Sequence, residues 1–144
     1  MKNISAVIVV KGNPVHLSKV ISSIEDLVKE IIIVDIGIDS ALKTSLINNK
    51  LIKIVEMKGE VPYVELIREK TKDFAKSDYV FFLDPDEIVP LGLKTIIREK
   101  LDAFDYFEIP RKNITFGRWI KYSRWWPDYQ VRLFKKDKER NSDV

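Results

Sequence analysis

The chain has 144 residues, 45% of them hydrophobic and 33% charged, which excludes disordered, collagen-like and low-complexity classes and allows one domain with a real core. It has no cysteine and a single histidine, His16. A disulfide framework, a thiolate metal site, a Cys nucleophile and a multi-histidine metal centre are therefore excluded. The net charge of +3 is unevenly spread: residues 1–110 hold 15 Lys/Arg and 18 Asp/Glu, a balance of −3, whereas residues 111–144 hold 10 and 4, a balance of +6. An acidic-to-neutral body thus carries a basic, aromatic end suited to something anionic.

In chain order, Ser5–Val10 is a continuous apolar, β-branched run, the pattern of a strand buried on both faces. It stops at Lys11 without a small-residue cleavage site, so it reads as a strand and not a signal peptide. No run approaches the ~18 apolar residues of a membrane span, and a cytoplasmic setting is the expectation. Asn13-Pro14 offers a helix cap and a first-position proline, ahead of Leu17, Val20, Ile21, Ile24, Leu27 and Val28 at helical spacing. Glu30–Val34 is a second buried run, closed by Asp35-Ile36-Gly37. Asp39 or Ser40 can cap a short helix to about Asn49, and Leu51–Val55 is a third strand. Tyr63–Ala75 reads as a helix and Tyr79–Leu83 as a fourth strand, ending in Asp84-Pro85-Asp86-Glu87. Leu91–Leu101 is helical and Tyr106–Ile109 a strand. The β-α alternation predicts an α/β fold, a doubly wound, Rossmann-like α/β/α sandwich with a mostly parallel sheet. Beyond Arg111 the alternation loosens. Trp125-Trp126-Pro127-Asp128 reads as a turn, Tyr129–Phe134 as a strand, and the end as frayed.

Ligands of open α/β sheets sit at the carboxyl ends of the strands, where Lys11-Gly12-Asn13, Asp35 and the Asp84–Glu87 cluster are expected to meet. Three carboxylates in four residues repel one another. A hard divalent cation, Mg²⁺ or Mn²⁺, would compensate them and bridge a substrate's phosphates. The alternative is a solvated acidic turn capping the helix at Leu91. Asp35 is either a strand-closing turn residue or an acceptor for a nucleobase N–H or ribose hydroxyls. From its position alone Arg68 reads as a solvated helix residue, and His16 has no surroundings that suggest a proton shuttle. Gly12, Gly37 and Gly59 are isolated, which argues against a dinucleotide dehydrogenase or P-loop enzyme. The segment Arg118–Trp126 can stack on sugars or bases, lean on a membrane interface, or pack as a hairpin.

Three sets of residues, in order, then resemble the family 2 glycosyltransferases, and within them the lipopolysaccharide core β-glucosyltransferase branch. They are Val34-Asp35-Ile36-Gly37-Ile38-Asp39, Val80–Glu87 with Arg68 about four helical turns upstream, and a distal set. The distal set comprises Ile109–Asn113, Gly117-Arg118-Trp119-Ile120 and Trp125–Phe134. The resemblance spans about residues 4–135. It implies a GT-A fold and inverting transfer of a hexose from a nucleotide diphosphate sugar, more readily a UDP-sugar than a GDP- or dTDP-sugar. By that analogy Asp35 binds the base, Arg68, Asp84 and Lys11 contact the nucleotide, and Asp86 holds Mn²⁺ or Mg²⁺. Arg111, Trp119, Trp125 and Arg132 line the acceptor side, where a cell-envelope or lipid-linked glycan is expected, with peripheral membrane contact on the cytoplasmic face and no nucleic acid.

This chain departs from the family pattern at Gly12-Asn13, Ile38 and Glu69. It also lacks the acidic residue, often in a His-Glu pair, that family members carry beyond the Arg-Leu-Phe segment as the base. Asp128 is the acidic residue inside a matched acceptor-side motif and is the candidate base. The expected organisation is one glycosyltransferase-like domain over 1–144, shorter than the family's usual chain. Its parts are a nucleotide-sugar part at 1–110, a basic-aromatic segment at 111–135 and a frayed tail at 136–144. A binding module without the base is the alternative function, and a nucleic-acid-binding domain a more distant one.

Overall fold

The computed structural model describes residues 3–57, 72–111, 114–115, 118–119 and 128–136. The strands are β1 (Ile4–Gly12), β2 (Glu30–Ile38), β3 (Ile52–Glu56), β4 (Tyr79–Leu83), β5 (Tyr106–Arg111), β6 (Ile114–Thr115), β7 (Arg118–Trp119) and β8 (Asp128–Lys135). Among the described residues the helices are α1 (Leu17–Ile24), α2 (Ser40–Ile47) and α3 (Leu91–Lys100). Among the described residues six strands form one sheet in the order β3-β2-β1-β4-β8-β5. The pairings β2–β3, β1–β2 and β1–β4 are parallel, while β8 runs antiparallel between β4 and β5. The mixed α/β, mostly parallel sheet expected from the alternation is present, with one reversed strand inserted. Strands β6 and β7 pair antiparallel as a separate ribbon.

The central strands read as unbroken apolar runs because both of their faces are covered. On one face Ala6, Ile8, Val10, Ile31, Ile33, Phe81 and Leu133 pack with Leu17, Val20, Ile21 and Ile24 of α1, Leu46 of α2 and Ile97 of α3. On the other, Val7, Ile32, Val34, Val80, Phe82 and Phe134 form a second cluster with Ala75. Phe82 and Phe134 stack there with centroids 5.7 Å apart.

Several boundaries differ from expectation. Helix α1 starts at Leu17, not at Asn13-Pro14, because Pro14 instead opens a turn whose carbonyl accepts from the Leu17 N–H at 3.4 Å. It stops at Ile24, and its continuation through Val28 is a turn held by bonds from Leu27 and Val28 to the Ile24 carbonyl. Strand β2 runs on past Asp35 to Ile38, since β1 also extends and pairs Val10 with Asp35 and Gly12 with Ile38. Of the helix expected at Tyr63–Ala75, residues 63–71 lie outside the described residues, and Lys72–Phe74 form a short 3-10 turn. Asp128 opens β8, paired with Arg111, where a turn was expected.

The amino-terminal end of the sheet is tied by polar groups hidden within the apparent apolar run. Fully buried Ser5 donates to Glu30 Oε2 at 2.7 Å and accepts from the Ser77 N–H at 3.2 Å, while Glu30 Oε2 also accepts from the Lys76 N–H. Lys136, expected in the frayed tail, is bound at both ends: its N–H donates to the Asp78 carbonyl and its ammonium to the Ala75 carbonyl at 2.8 Å. These bonds fasten the end of β8 beside the entry to β4, where the two strands pair.

Candidate functional site

The chain moves from β1 outward to β2 and β3, then returns to β4 on the other side of β1. This reversal opens a crevice between the carboxyl ends of β1 and β4, the place where open α/β sheets bind ligands. Lys11, next to last in β1, stands at this rim and is exposed. Asp35 lies on the neighbouring β2, and Asp84–Glu87 follow β4 directly. The start of β8 and the end of β5, which carry Asp128 and Arg111, reach the same end of the sheet by their register. Trp119 lies on β7. Arg68 and Trp125 lie outside the described residues.

Each oxygen of the Asp35 carboxylate has a partner. Its Oδ1 accepts from the N–H groups of Gly37 and Ile38, both at 2.8 Å, closing a tight turn inside the end of β2. Gly37 has φ +127°, a region that L side chains rarely adopt, so the turn needs glycine for conformation and not for space. The other oxygen, Oδ2, meets the Lys43 ammonium of α2 at 3.2 Å, and the same ammonium pairs with Glu56 at the end of β3. The Ile38 amide above all, with help from Gly37 and Lys43 and against partial burial, holds the Asp35 carboxyl below its ordinary range. Glu56, and then Asp35, push the Lys43 ammonium up. Both groups are therefore charged across the neutral range. Lys43 was missed by sequence reasoning because it stands eight residues from Asp35, across a turn, where no periodicity links them.

The acidic turn is organised by Glu87 and Arg132. Glu87 Oε1 accepts from the Asp84 N–H at 2.7 Å, and the Glu87 N–H donates to the Asp84 carbonyl. Arg132, 5% exposed on β8, places Nη2 3.3 Å from Asp84 Oδ2 and 3.5 Å from Glu87 Oε2. The guanidinium of Arg132, an acceptor-side residue by the resemblance, is held against this turn. The reversed insertion of β8 beside β4 brings it there, and its charge offsets part of the repulsion among these carboxylates. The turn does not cap the next helix either: the residue preceding α3 is Pro90, and no side chain caps it. Asp86 is left exposed at the tip.

Among the described residues no three His, Asp or Glu side chains are grouped to hold a metal. Mg²⁺-like ions commonly use one or two carboxylates and complete their shell with substrate phosphates and water. An exposed Asp86 beside an Asp84 already drawn to Arg132 suits that shared mode and not a self-sufficient protein cage.

No family model matches the chain. Among solved structures it is similar to S. aureus TarS 1–349, with a TM-score of 0.67 at 15% identity over 94% of this chain and 47% of that one. The same fragment in complex with UDP gives identical values, and its complex with UDP-GlcNAc gives a TM-score of 0.67 with 46% of that chain covered. The fold is of the GT-A type. At this identity the likeness is one of architecture, and the chain spans less than half the length of the TarS fragment. Among the described residues no helix is long and apolar enough to cross a membrane.

Proposed function

We propose that this chain forms the donor-binding part of an inverting glycosyltransferase that moves a hexose from a UDP-sugar to a cell-envelope or lipid-linked glycan. The observation that carries this reading is the convergence of Lys11, Asp35 and the Asp84–Glu87 turn at the switch point of a GT-A fold. Structures of that fold in TarS include complexes with UDP and UDP-GlcNAc. In this reading Asp35 accepts the imide N–H of uracil, Lys11 and Asp84 position the nucleotide, and the resemblance gives Arg68 a nucleotide contact as well. Asp86 holds Mn²⁺ or Mg²⁺ against the diphosphate. When bound, such an ion offsets the charge that develops on the departing diphosphate. Arg132 keeps the acidic turn folded so that Asp86 faces outward. Asp128, at the mouth of β8, is the candidate base for the acceptor hydroxyl, and the basic-aromatic stretch containing Arg111, Trp119 and Trp125 forms the acceptor side. The resemblance to the lipopolysaccharide core branch points to an acceptor in the cell envelope, reached from the cytoplasmic face.

Calorimetric titration of UDP, with and without Mn²⁺, on this chain and on Asp86→Ala tests the reading. The expected result is binding that Mn²⁺ strengthens, with Asp86→Ala removing the Mn²⁺ effect while leaving weak nucleotide binding. If UDP binds neither with nor without the metal, the donor site is wrong.

A further inference from the structure

We infer that Lys43 sets the base specificity of the nucleotide site, selecting the imide edge of uracil and rejecting the two-donor edge of guanine. This rests on the donor reading above and adds to it a residue which that reading does not use. Asp35 Oδ1 is already shared by the amides of Gly37 and Ile38, at 2.8 Å each. Only Oδ2 remains to meet a base, and the Lys43 ammonium stands 3.2 Å from it. Of the three N–H groups of that ammonium, one faces Asp35 and one faces Glu56, leaving the third without a partner among the described residues.

The rim therefore offers one acceptor with a cationic donor at its side. Uracil presents the complement, a single N3–H donor flanked by carbonyl oxygens. Its N3–H fits Asp35 Oδ2, and the adjacent carbonyl accepts the third Lys43 N–H. Guanine presents N1–H and an exocyclic amine side by side. It needs both carboxylate oxygens, of which one is consumed by the turn, and it would set its amine against the ammonium. An opposed donor pair of this kind is the repulsive element on which discrimination depends. Glu56 matters because it fixes the ammonium from the other side, at the register partner of Asp35 on β3. The half-exposed lysine stem is thereby aimed at the rim and not left to wander in solvent.

The test is calorimetric titration of UDP and GDP on the full chain, Lys43→Met, Lys43→Arg and Asp35→Asn, with circular dichroism to establish that each variant is folded. Wild type is expected to prefer UDP. Lys43→Met should weaken UDP about tenfold, the equivalent of one charged hydrogen bond, without weakening GDP, so the preference shrinks by at least that factor. Lys43→Arg, which keeps a donor, should restore part of it, and Asp35→Asn should weaken UDP more than Lys43→Met does. A merely structural Lys43 would lower both nucleotides together and leave their ratio unchanged. An unchanged ratio, or a wild-type preference for GDP, overturns the inference while the donor site stands. Absence of UDP binding to wild type overturns the donor reading itself.

Discussion

Tyr79 shows how a single polar atom can hold two elements together. It is 4% exposed, and its hydroxyl faces the Leu101 carbonyl at 2.7 Å and the Phe104 carbonyl at 3.1 Å, joining the start of β4 to the turn that ends α3. Burial pushes its phenol up, so it stays a protonated donor at every ordinary pH. Replacing it with Phe keeps the ring in place but leaves those carbonyls short of a donor, so Tyr79→Phe is expected to lose about 1–2 kcal/mol. Urea denaturation measures it, and an unchanged midpoint would refute the anchoring role. Asp35 is a contrasting case. Its turn-closing role and its proposed base contact use different oxygens, so the two roles that its sequence position allows are compatible in the fold.

At the scale of elements, the sheet is strongest at its centre. Strand β4 is buried along its whole length between β1 and β8, and Phe81 is 1% exposed. Strand β3 is an edge, and its Ile54 is only half-buried. Phe81→Ala should therefore cost about 3–5 kcal/mol through lost transfer energy and an unfilled cavity. Ile54→Ala should cost clearly less, because water can relax into the edge. Comparable losses at the two positions in chemical denaturation would contradict this gradient. The apolar runs of β1, β2 and β4 are legible in the amino-acid sequence, since double burial leaves no alternation to interpret. The position of β8 is not. Tyr129–Phe134 has a recognisable strand pattern, but nothing local says that it pairs antiparallel between β4 and β5, and on that pairing depends the contact of Arg132 with Asp84 and Glu87.

For the molecule as a whole, charge gives a pH window. Asp35 is lowered chiefly by the Ile38 amide, and Asp26 by Lys94 and then Arg98, which tie the end of α1 to α3. A carboxylate with a depressed folded pKa contributes stability above its unfolded value, near 3.9, and loses it as pH falls through the folded value. Lys43 is raised, by Glu56 and then Asp35, so its contribution is present below its unfolded value, near 10.4, and is lost as pH rises through the folded one. Stability should hold a plateau between those limits. Asp26→Asn combined with Asp35→Asn should flatten the acid limb of a melting temperature–pH profile, and a limb as steep as that of wild type would count against these pairs.

By itself the sequence determined the α/β class, the central strand runs, and the arrival of the Asp84–Glu87 cluster at the end of β4, while β2 continues past Asp35 to Ile38. These follow from short-range rules: burial periodicity, turn chemistry, and the helical crossover that keeps successive strands parallel and so sends their carboxyl ends to one side. Only the tertiary structure decided which side chains share that rim. Lys43 reaches Asp35 through a turn, a helix and the register of β2 with β3, and Arg132 reaches the acidic turn from a strand 48 residues away in the chain. Such meetings are set by strand order and register across the whole sheet, and no window of sequence carries that information.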